Sequence, residues 1–439
     1  MLSDPIAALA TPPGRSAVAV VRLSGEGALA IAARIVPAFR PEPRLAQLAT
    51  FVSADGTPLD RGLYTVFPAP HSYTGDDLVE FSCHGGLVAP ARLLEALHAA
   101  GARPAAPGEF TRRAVLNGRL DLLQAEAVGD LIDATAPLQA RRALAQLDGN
   151  LSNRIGELRT ALVELQSLLG YDIDFPDEDD GPVSPARLRT ALEAVVAQVE
   201  RLLATAPAGE RLRDGALVVL AGQPNVGKSS LFNALLGSDR ALVTEIAGTT
   251  RDAIESPTTF DGWPIRLVDT AGLRETEDRI ERMGVEVSRR WLEAADLVIL
   301  CVEAGAPTPE DAEILGPRTI LARTKSDLAP EPSGNGIPVS ALTGDGLERV
   351  RRAVVESVFG SGAALADLEP ALSRERHRAA LARAADELAA AEPHLHSGGD
   401  PVLASHHVRL ATLALDELIG AVDLEEVLDR VFLSFCVGK

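Results

Sequence analysis

The amino-acid sequence predicts a multidomain protein that combines α/β units with an all-α body. Strand patterns alternate with helical patterns in residues 1–117 and again in 210–362, which is typical of α/β domains. Residues 118–209 and 363–439 show helical periodicity alone. A chain of 439 residues is long enough for about three domains. We therefore expect two α/β domains, the second of them inserted into a helical domain that is split in sequence.

The first α/β unit is predicted from two strands and two helices separated by Pro/Gly turns. Residues 17–23 form a strand pattern, and residues 28–35 follow with helical periodicity. A second strand pattern at 78–81 runs into Cys83-His84-Gly85-Gly86, and a helix is expected over 87–100. This alternation indicates an independent small domain.

The helical body is predicted from two apolar stripes with spacings of three and four residues. One stripe lies between residues 155 and 169, and the other lies between 188 and 202, after an N-cap and first-turn proline at Ser184-Pro185. Residues 171–180 are acidic and contain a proline, so a solvated loop is expected there. The sequence Pro207-Ala208-Gly209 predicts a loose connection to the next domain.

The second α/β unit contains a complete phosphate-binding loop, Gly222-Gln223-Pro224-Asn225-Val226-Gly227-Lys228-Ser229. Residues 217–221 predict a buried strand entering the loop, and 229–236 predict a helix leaving it. In such a loop the backbone N–H groups turn towards phosphate oxygens at a helix N-terminus. Lys228 would reach the β- and γ-phosphates, and the Ser229 hydroxyl would bind Mg²⁺. The sequence therefore predicts a nucleoside triphosphate site on a doubly wound, Ras-like sheet.

The other phosphate-side motifs follow in the order that GTPases use. Residues 244–252 have the pattern of a first switch, in which Thr250 can close over Mg²⁺ and the γ-phosphate. The sequence Asp269-Thr270-Ala271-Gly272 is expected to end a strand, with Asp269 on the magnesium side and the Gly272 N–H at the γ-phosphate. A lone DxxG means little, but its position after the other two motifs makes it specific.

The base-recognition motif is Thr324-Lys325-Ser326-Asp327, where small GTPases usually have Asn-Lys-x-Asp. Asp327 can accept hydrogen bonds from the guanine N1–H and exocyclic amine, a contact that rejects adenine. Thr324 removes an amide, so we expect a preference for guanine, while the effect of this threonine on affinity and selectivity stays open. Ser340-Ala341-Leu342 is expected to back the base.

These motifs together give a set of expected GTP contacts. Its members are Asn225, Val226, Gly227, Lys228, Ser229, Ser230, Thr244, Glu245, Ile246, Ala247, Gly248, Thr249, Thr250, Asp269, Thr270, Ala271, Gly272, Thr324, Lys325, Asp327, Ser340 and Ala341. Ser229 and Thr250 are the expected Mg²⁺ ligands.

Hydrolysis also needs a group that positions the attacking water. Leu273 follows the DTAG motif, where Ras-like proteins have Gln, and a leucine cannot accept a hydrogen bond. Glu281 is a candidate for this role. A solvated helix carboxylate is the other interpretation, and the residues alone favour neither. Lys228 and Thr250 complete the expected catalytic set.

Composition limits the partners and the compartment. The chain has 42 basic and 62 acidic residues, a net charge of −20, so it is expected to bind nucleic acid poorly without a local patch or a basic partner. Apolar runs are too short for a transmembrane helix, and the N-terminus lacks the pattern of a signal peptide. The three cysteines suit a reducing compartment. We expect a cytoplasmic protein that does not enter membranes.

With these residues in hand, the chain resembles the MnmE (TrmE) family of tRNA-modifying GTPases along nearly its whole length. The motifs that carry the resemblance are those at 222–230, 244–252 and 269–274, together with segments at 13–15, 22–25, 73–77, 84–86, 107–114, 117–122 and 435–439. The nucleotide motifs alone fit many GTPases. Their combination with this N-terminal domain and the C-terminal Phe435-Cys436-Val437-Gly438-Lys439 is specific.

The resemblance implies a potassium-dependent GTPase whose G domains dimerise across the nucleotide. A potassium ion would bind Asn225 and the backbone of Thr244, Ile246 and Thr249, where it neutralises charge between the β- and γ-phosphates. The family's water-orienting glutamate falls on Glu281.

For the N-terminal domain, the resemblance implies a folate-binding-like fold that holds 5-formyltetrahydrofolate in place of a one-carbon donor. The family's folate positions fall on Arg22, Glu80, Arg119 and Lys439. Guanidinium and ammonium groups suit a polycarboxylate tail, and a carboxylate suits the amine donors of the pterin. Cys436 is a possible catalytic thiol, although a buried inert cysteine is the default interpretation of its apolar surroundings.

The implied reaction adds a carboxymethylaminomethyl or aminomethyl group to carbon 5 of the wobble uridine of certain tRNAs. It would be performed by a homodimer with the FAD-containing flavoprotein MnmG, in a heterotetramer or larger assembly that meets tRNA largely through the partner. GTP hydrolysis would drive conformational switching. Two alternatives remain: a ribosome-assembly GTPase of the Era or Der type, and a folate-dependent methyltransferase with a regulatory G domain.

Overall fold

The computed structural model describes residues 3–174, 183–237, 255–269, 290–308, 318–328, 335–360, 370–396, 399–420, 431–432 and 435–438. The chain divides into two compact units. One comprises residues 1–129 and 416–439, and the other comprises 130–415. The boundaries predicted for the four sequence segments remain a prediction.

The first unit contains a six-stranded sheet in the order β3-β4-β5-β2-β1-β6. Neighbouring strands are antiparallel, except that β1 and β6 run parallel. The strands are β1 (Ile6–Leu9), β2 (Val18–Ser24), β3 (Gln47–Val52), β4 (Pro58–Phe67), β5 (Leu78–His84) and β6 (Arg103–Pro104). The strands β1, β3, β4 and β6 were not predicted from the sequence.

Helices of the first unit supply one side of its core. They are α1 (Ala28–Ile35), α2 (Ala89–Ala99) and α3 (Glu109–Leu116), and α4 (Leu122–Asp133) continues past the unit boundary. Leu93 and Leu97 of α2 pack with the sheet residues Phe51 and Phe81, whose rings meet edge to face with centroids 5.5 Å apart. The predicted strands and helices of this unit are confirmed.

The C-terminal residues pack on this same unit. Phe432 and Phe435 join Leu122 and Ala125 in a small apolar cluster. The Gly108 amide donates to the Cys436 carbonyl at 3.3 Å, and Pro107 bridges to Val437. The tail is therefore held beside the sheet by both apolar packing and backbone hydrogen bonds.

The second unit combines helices with a second six-stranded sheet. Its helices are α5 (Pro137–Leu147), α6 (Asn150–Asp174), α7 (Pro185–Leu203), α8 (Ala206–Asp214), α9 (Lys228–Leu236), α10 (Leu347–Phe359), α11 (Glu375–Ala391) and α12 (Pro401–Ile419), with 3₁₀ turns at Ser326–Leu328 and Glu392–His394. The helix α7 packs against α6 and α11 and buries the predicted apolar stripe. The Ser184 hydroxyl caps α7 by accepting from the Arg187 amide, as predicted.

The second sheet has the order β12-β11-β10-β7-β9-β8. Its strands are β7 (Ala216–Ala221), β8 (Glu255–Phe260), β9 (Trp263–Asp269), β10 (Leu297–Glu303), β11 (Thr319–Thr324) and β12 (Ile337–Pro338). All neighbours are parallel except β8 and β9. The predicted fold class, α/β units with a helical domain and a doubly wound P-loop sheet, is confirmed.

Two local predictions are wrong. The acidic stretch 171–180 was expected to be a loop, but α6 includes residues 171–174. Residues 175–180 lie outside the described residues. Residues 150–174 contain no proline, so nothing interrupts propagation of the helix through them. The sequence Pro207-Ala208-Gly209 was expected to be a loose connection, but it lies inside α8. Pro207 stands in the first turn of that helix, where a missing N–H costs nothing.

Close packing against a neighbouring backbone segment requires glycine at position 209. A Cβ at this position would lie 2.1 Å from the Leu372 carbonyl oxygen, far inside van der Waals contact. The glycine therefore allows α8 to lie directly against the backbone that precedes α11.

We expect Gly209→Ala to destabilise the protein by about 1–3 kcal/mol, because the added methyl must displace the backbone at Leu372. The matched control is Gly156→Ala in α6, where the added Cβ meets nothing within 4 Å. Its effect is expected to be neutral or stabilising by up to about 1 kcal/mol. Urea denaturation of the two variants measures the difference, and equal midpoints would contradict the packing role.

Candidate nucleotide-binding site

The phosphate-binding loop leaves the most protected strand of the second sheet. Every residue of β7 is buried, and the strand lies between β9 and β10. At Gly222 the backbone has φ 147°, and a Cβ there would lie 2.4 Å from the Cys301 carbonyl oxygen on β10. Gly227 has φ 96° at the N-cap of α9. Glycine at these two positions allows the loop to turn tightly between the strand and the helix.

The side chain of Lys228 lies over the phosphate-binding loop and is held there by carbonyl groups of the same loop. Its side chain is buried, and Nζ donates to the carbonyl oxygens of Gly222 at 3.1 Å and Gln223 at 2.8 Å. Asn225 and Ser229 are exposed, and Asn225 has a left-handed φ of 62°. The loop thus presents an ammonium, an amide and a hydroxyl at the N-terminus of α9, a site suited to phosphate groups.

A cavity of about 140 Å³ joins the phosphate-binding loop to the base-recognition motif. Both motifs line it, as does the segment predicted to back the base. The lining residues are Gly227, Ser230, Leu231, Thr324, Lys325, Asp327, Val339, Ala341 and Leu342. The phosphate-binding loop therefore meets two motifs that follow about one hundred residues later in the sequence, because parallel strands end at one edge of the sheet.

The Thr324 hydroxyl connects the two ends of this cavity. It is buried at the end of β11 and donates to the Val226 carbonyl in the phosphate-binding loop, with the Val302 carbonyl 3.3 Å away as a second acceptor. Sequence reasoning considered only the amide that Thr324 lacks and missed this contact. The hydroxyl secures the loop directly to the strand that carries Asp327.

Local contacts hold Lys325 of the base motif and Ser340 of the segment that is expected to back the base. Lys325 has φ 54°, and its Nζ pairs with Glu303 Oε2 at 3.1 Å. The buried Ser340 hydroxyl accepts from the amides of Leu342 and Thr343, at 3.3 and 3.2 Å. These bonds shape the turn that carries Ala341 and leave the Leu342 side chain exposed towards the cavity.

Asp269 ends β9, directly beside the strand that leads into the phosphate-binding loop. The residue is buried, as expected for a carboxylate on the magnesium side. Nearby, burial raises the pKa of the Cys301 thiol to about 12, so this cysteine stays neutral at physiological pH. Cys301 is buried and packs in the core of the second sheet.

Several predicted site residues lie outside the described residues. They are Thr244, Glu245, Ile246, Ala247, Gly248, Thr249, Thr250, Thr270, Ala271, Gly272, Glu281 and Lys439.

The first unit brings together part of the second predicted site. Arg22 on β2 and Glu80 on β5 stand directly opposite each other, and Arg22 Nε donates to Glu80 Oε1 at 2.8 Å. Arg22 Nη1 lies 3.4 Å from the Gly438 carbonyl, and its guanidinium lies 5.7 Å from the centre of the Tyr73 ring. Arg22, Glu80 and the C-terminal tail are therefore neighbours, although the pairing of Arg22 with Glu80 was not foreseen.

Arg119 lies on the turn that supports the loop around Tyr73. The side-chain amide of Asn117 donates to the Thr74 carbonyl at 2.7 Å, and a Cβ at Gly75 would lie 3.3 Å from Arg119 Cγ. Arg119 is exposed. The default interpretation of Cys436 as buried is wrong, because its side chain is exposed.

Fold and site together define a guanine-nucleotide-binding protein of the P-loop class, in which phosphate and base motifs converge on one cavity. Two family models cover most of the chain. The model described as "GTP-binding protein TrmE N-terminus" matches residues 5–119, and the model described as "MnmE helical domain" matches residues 122–436.

Curated relatives match the chain over its full length. Proteins named "tRNA modification GTPase MnmE" are 46% identical in Thermus thermophilus, 44% in Alkalilimnicola ehrlichii and 42% in Akkermansia muciniphila. Each alignment covers 100% of this chain and at least 99% of the relative. The chain belongs to the MnmE family of tRNA modification GTPases. This assignment favours that family over the Era- or Der-type alternative. Among the residues that the structure describes, no helix combines the length and apolarity needed to cross a membrane.

We expect Thr324→Val to weaken GTP binding by about five- to twentyfold, because the loss of one buried hydrogen bond leaves the Val226 carbonyl without its partner. Thr324→Asn is expected to bind GTP at least as tightly as the native chain, since its amide can make the same bond. The control is Thr160→Val on α6, whose hydroxyl also donates to a backbone carbonyl. Fluorescent-nucleotide titration measures all three, and an unchanged affinity in Thr324→Val would exclude the coupling.

Proposed function

We propose that this chain binds and hydrolyses GTP to drive modification of carbon 5 of the wobble uridine in tRNA, together with an MnmG-like flavoprotein and a reduced folate. The observation that carries the proposal is the cavity shared by Gly227 of the phosphate-binding loop and Asp327 of the base motif. Full-length similarity to tRNA modification GTPases connects this site to a tRNA substrate.

The binding of GTP follows from the described side chains. The N–H groups of the loop would donate to the phosphates at the N-terminus of α9, and the Lys228 ammonium, held on the Gln223 carbonyl, would lie beside them. At the other end, the Asp327 carboxylate accepts from the guanine N1–H and exocyclic amine. The Thr324 hydroxyl keeps these two ends at a fixed separation. Adenine would leave Asp327 without donors, which supports selection of guanine.

The donors at the loop also fit the two cations of the proposal. The Ser229 hydroxyl, in the first turn of α9, and the Asp269 carboxylate, at the end of β9, are oxygen groups of the type that Mg²⁺ prefers. The amide of the exposed Asn225 would bind K⁺. When bound, these cations neutralise charge on the phosphates. Glu281 would orient the attacking water, since Leu273 cannot.

A folate site in the first unit is supported by the group around Arg22. Tyr73 covers the Arg22 guanidinium, and Glu80 offers acceptor oxygens for the amine donors of a pterin. Arg22 would hold the folate together with its partner Glu80. The exposed Arg119 and the terminal Lys439 would add partners for the carboxylates of a folate tail. Cys436 is exposed on the same tail, which makes its thiol accessible.

The acidic surface of the chain supports a role for partners. A net charge of −20 disfavours direct binding to the phosphates of tRNA. A more basic flavoprotein that holds the tRNA removes this obstacle, and a homodimer of this chain would supply paired G domains. Light scattering of the two purified proteins tests the assembly, and a monomer that stays separate from the flavoprotein would exclude it.

We expect GTP hydrolysis to be faster in K⁺ than in Na⁺ by about tenfold or more, since the ion takes the place of an arginine finger. Asn225→Ala should remove the preference of hydrolysis for K⁺. Glu281→Ala should slow GTP turnover by about 10²-fold with little change in GTP affinity, because Glu281 would orient the attacking water. The control is Asn233→Ala, an exposed asparagine on α9 outside the loop. Equal rates in the two salts would contradict the assignment of Asn225.

Mass analysis of the wobble uridine in tRNA from a strain that lacks this chain tests the whole function. We expect the modification to be absent and to return with the native chain. Arg22→Gln should fail to restore it and should lose binding of 5-formyltetrahydrofolate, while GTP hydrolysis stays within about twofold of the native rate. Arg61→Gln, an exposed arginine on β4, is the control. Full modification in the deletion strain would overturn the proposed function, whereas folate binding by Arg22→Gln would overturn only the folate site.

A further inference from the structure

A second cavity, of about 240 Å³, lies within the second unit and is separate from the nucleotide site. Its walls come from α5, from the C-terminal part of α8 and from residues 370–373 before α11. Both α5 and α8 pack against β9, the strand that ends at Asp269. The cavity therefore lies between the helices and the nucleotide-binding sheet and has room for a small organic molecule.

The guanidinium of Arg142 in this cavity is partly desolvated, and one of its nitrogen atoms lacks a partner. Its Nη1 is shielded from solvent and has no hydrogen-bond partner, and no ion pair with Arg142 occurs in the part of the chain that the structure describes. Burial lowers the pKa of this guanidinium, with no opposing contribution from a carboxylate. A desolvated cation without a partner is costly, so native proteins rarely keep one without a use.

The carboxylates near the cavity are already engaged with other cations. Asp130 accepts from Arg213 Nε at 2.9 Å and from Arg374 Nη2 at 2.6 Å. Asp214 accepts from Arg213 Nη1 at 2.8 Å. Asp133, the third carboxylate of the lining, also has an interaction partner, and among the described residues none of the three carboxylates forms an ion pair with Arg142.

Ser373 adds a second donor to the same cavity. Its hydroxyl is shielded from solvent and, like Arg142 Nη1, has no hydrogen-bond partner. A guanidinium and a hydroxyl at one cavity form a donor set suited to an oxyanion, since both can donate to the oxygens of a carboxylate or phosphate.

We propose that this cavity is a binding site for a small metabolite that carries a carboxylate or phosphate group, held by Arg142 and Ser373. The oxyanion would supply the charge and the hydrogen-bond acceptors that the protein does not provide. The site is independent of the GTP site and of the folate site, so its test does not depend on either.

Isothermal titration calorimetry of the full chain, saturated with GDP and Mg²⁺ to occupy the phosphate-binding loop, tests the proposal. The probes are succinate and citrate for carboxylates, and inorganic phosphate and glycerol 3-phosphate for phosphates. We expect one probe class to bind at one site per chain. Arg142→Met should weaken that binding at least tenfold, and Ser373→Ala should weaken it severalfold, because a charge-assisted hydrogen bond exceeds a neutral one.

The matched control is Arg141→Met, which removes an exposed arginine from the same helix. It should bind the probe as the native chain does. Arg142→Met should also raise the melting temperature of the ligand-free protein relative to Arg141→Met, because it removes a desolvated charge. Binding lost only in Arg142→Met supports the site, and the preferred probe identifies its chemical class. No binding of any probe, or equal affinities in the two variants, would overturn the proposal.

Discussion

The close contact between the phosphate-binding loop and strand β10 is the constraint on which the nucleotide site depends. Gly222 lies so near the Cys301 carbonyl that no larger residue fits, and β7 is buried along its whole length. Full burial of a Val or Leu contributes about 1.5–3 kcal/mol, so the strand is fixed firmly in the sheet. The position of β7 fixes the start of the phosphate-binding loop. Lys228 is held against the carbonyl groups of this loop.

The side chain of Thr324 connects the phosphate-binding loop to the strand that carries the base motif. The Thr324 hydroxyl donates to Val226, so the end of β11 is tied to the phosphate-binding loop as well as to its neighbouring strand. A shift of β11 relative to the phosphate-binding loop would break this hydrogen bond. Its loss is costly because the bond is buried and nothing compensates for it. The base motif and the phosphate motif therefore act as one structure, although their sequence patterns were recognised separately.

Patterns with strong local signals could be predicted from the sequence. The run of apolar residues in β7, the glycines of the loop and the periodic leucines of α6 and α7 each specify a structure without help from distant residues. Strands β3, β4 and β8 were missed because polar and exposed residues interrupt their alternation. Strands β1 and β6 were missed because they have only four and two residues. The bond of Thr324 and the pairing of Arg22 with Glu80 depend on which strands lie side by side, and local sequence does not contain that information.

Three buried or half-buried arginines show how surroundings decide the role of one residue type. Arg113 is almost fully buried but contacts Glu109 at 3.1 Å and Asp4 at 3.2 Å, so its charge is met within the fold. Arg22 is paired with Glu80 beside an aromatic ring and an exposed tail, where a ligand can share the pair. Arg142 is half-buried, and its Nη1 has neither a carboxylate partner nor contact with solvent. In a chain with twenty more acidic than basic residues, a carboxylate partner would be easy to supply. The missing partner at Arg142 is therefore better explained by a ligand than by a shortage of acidic groups.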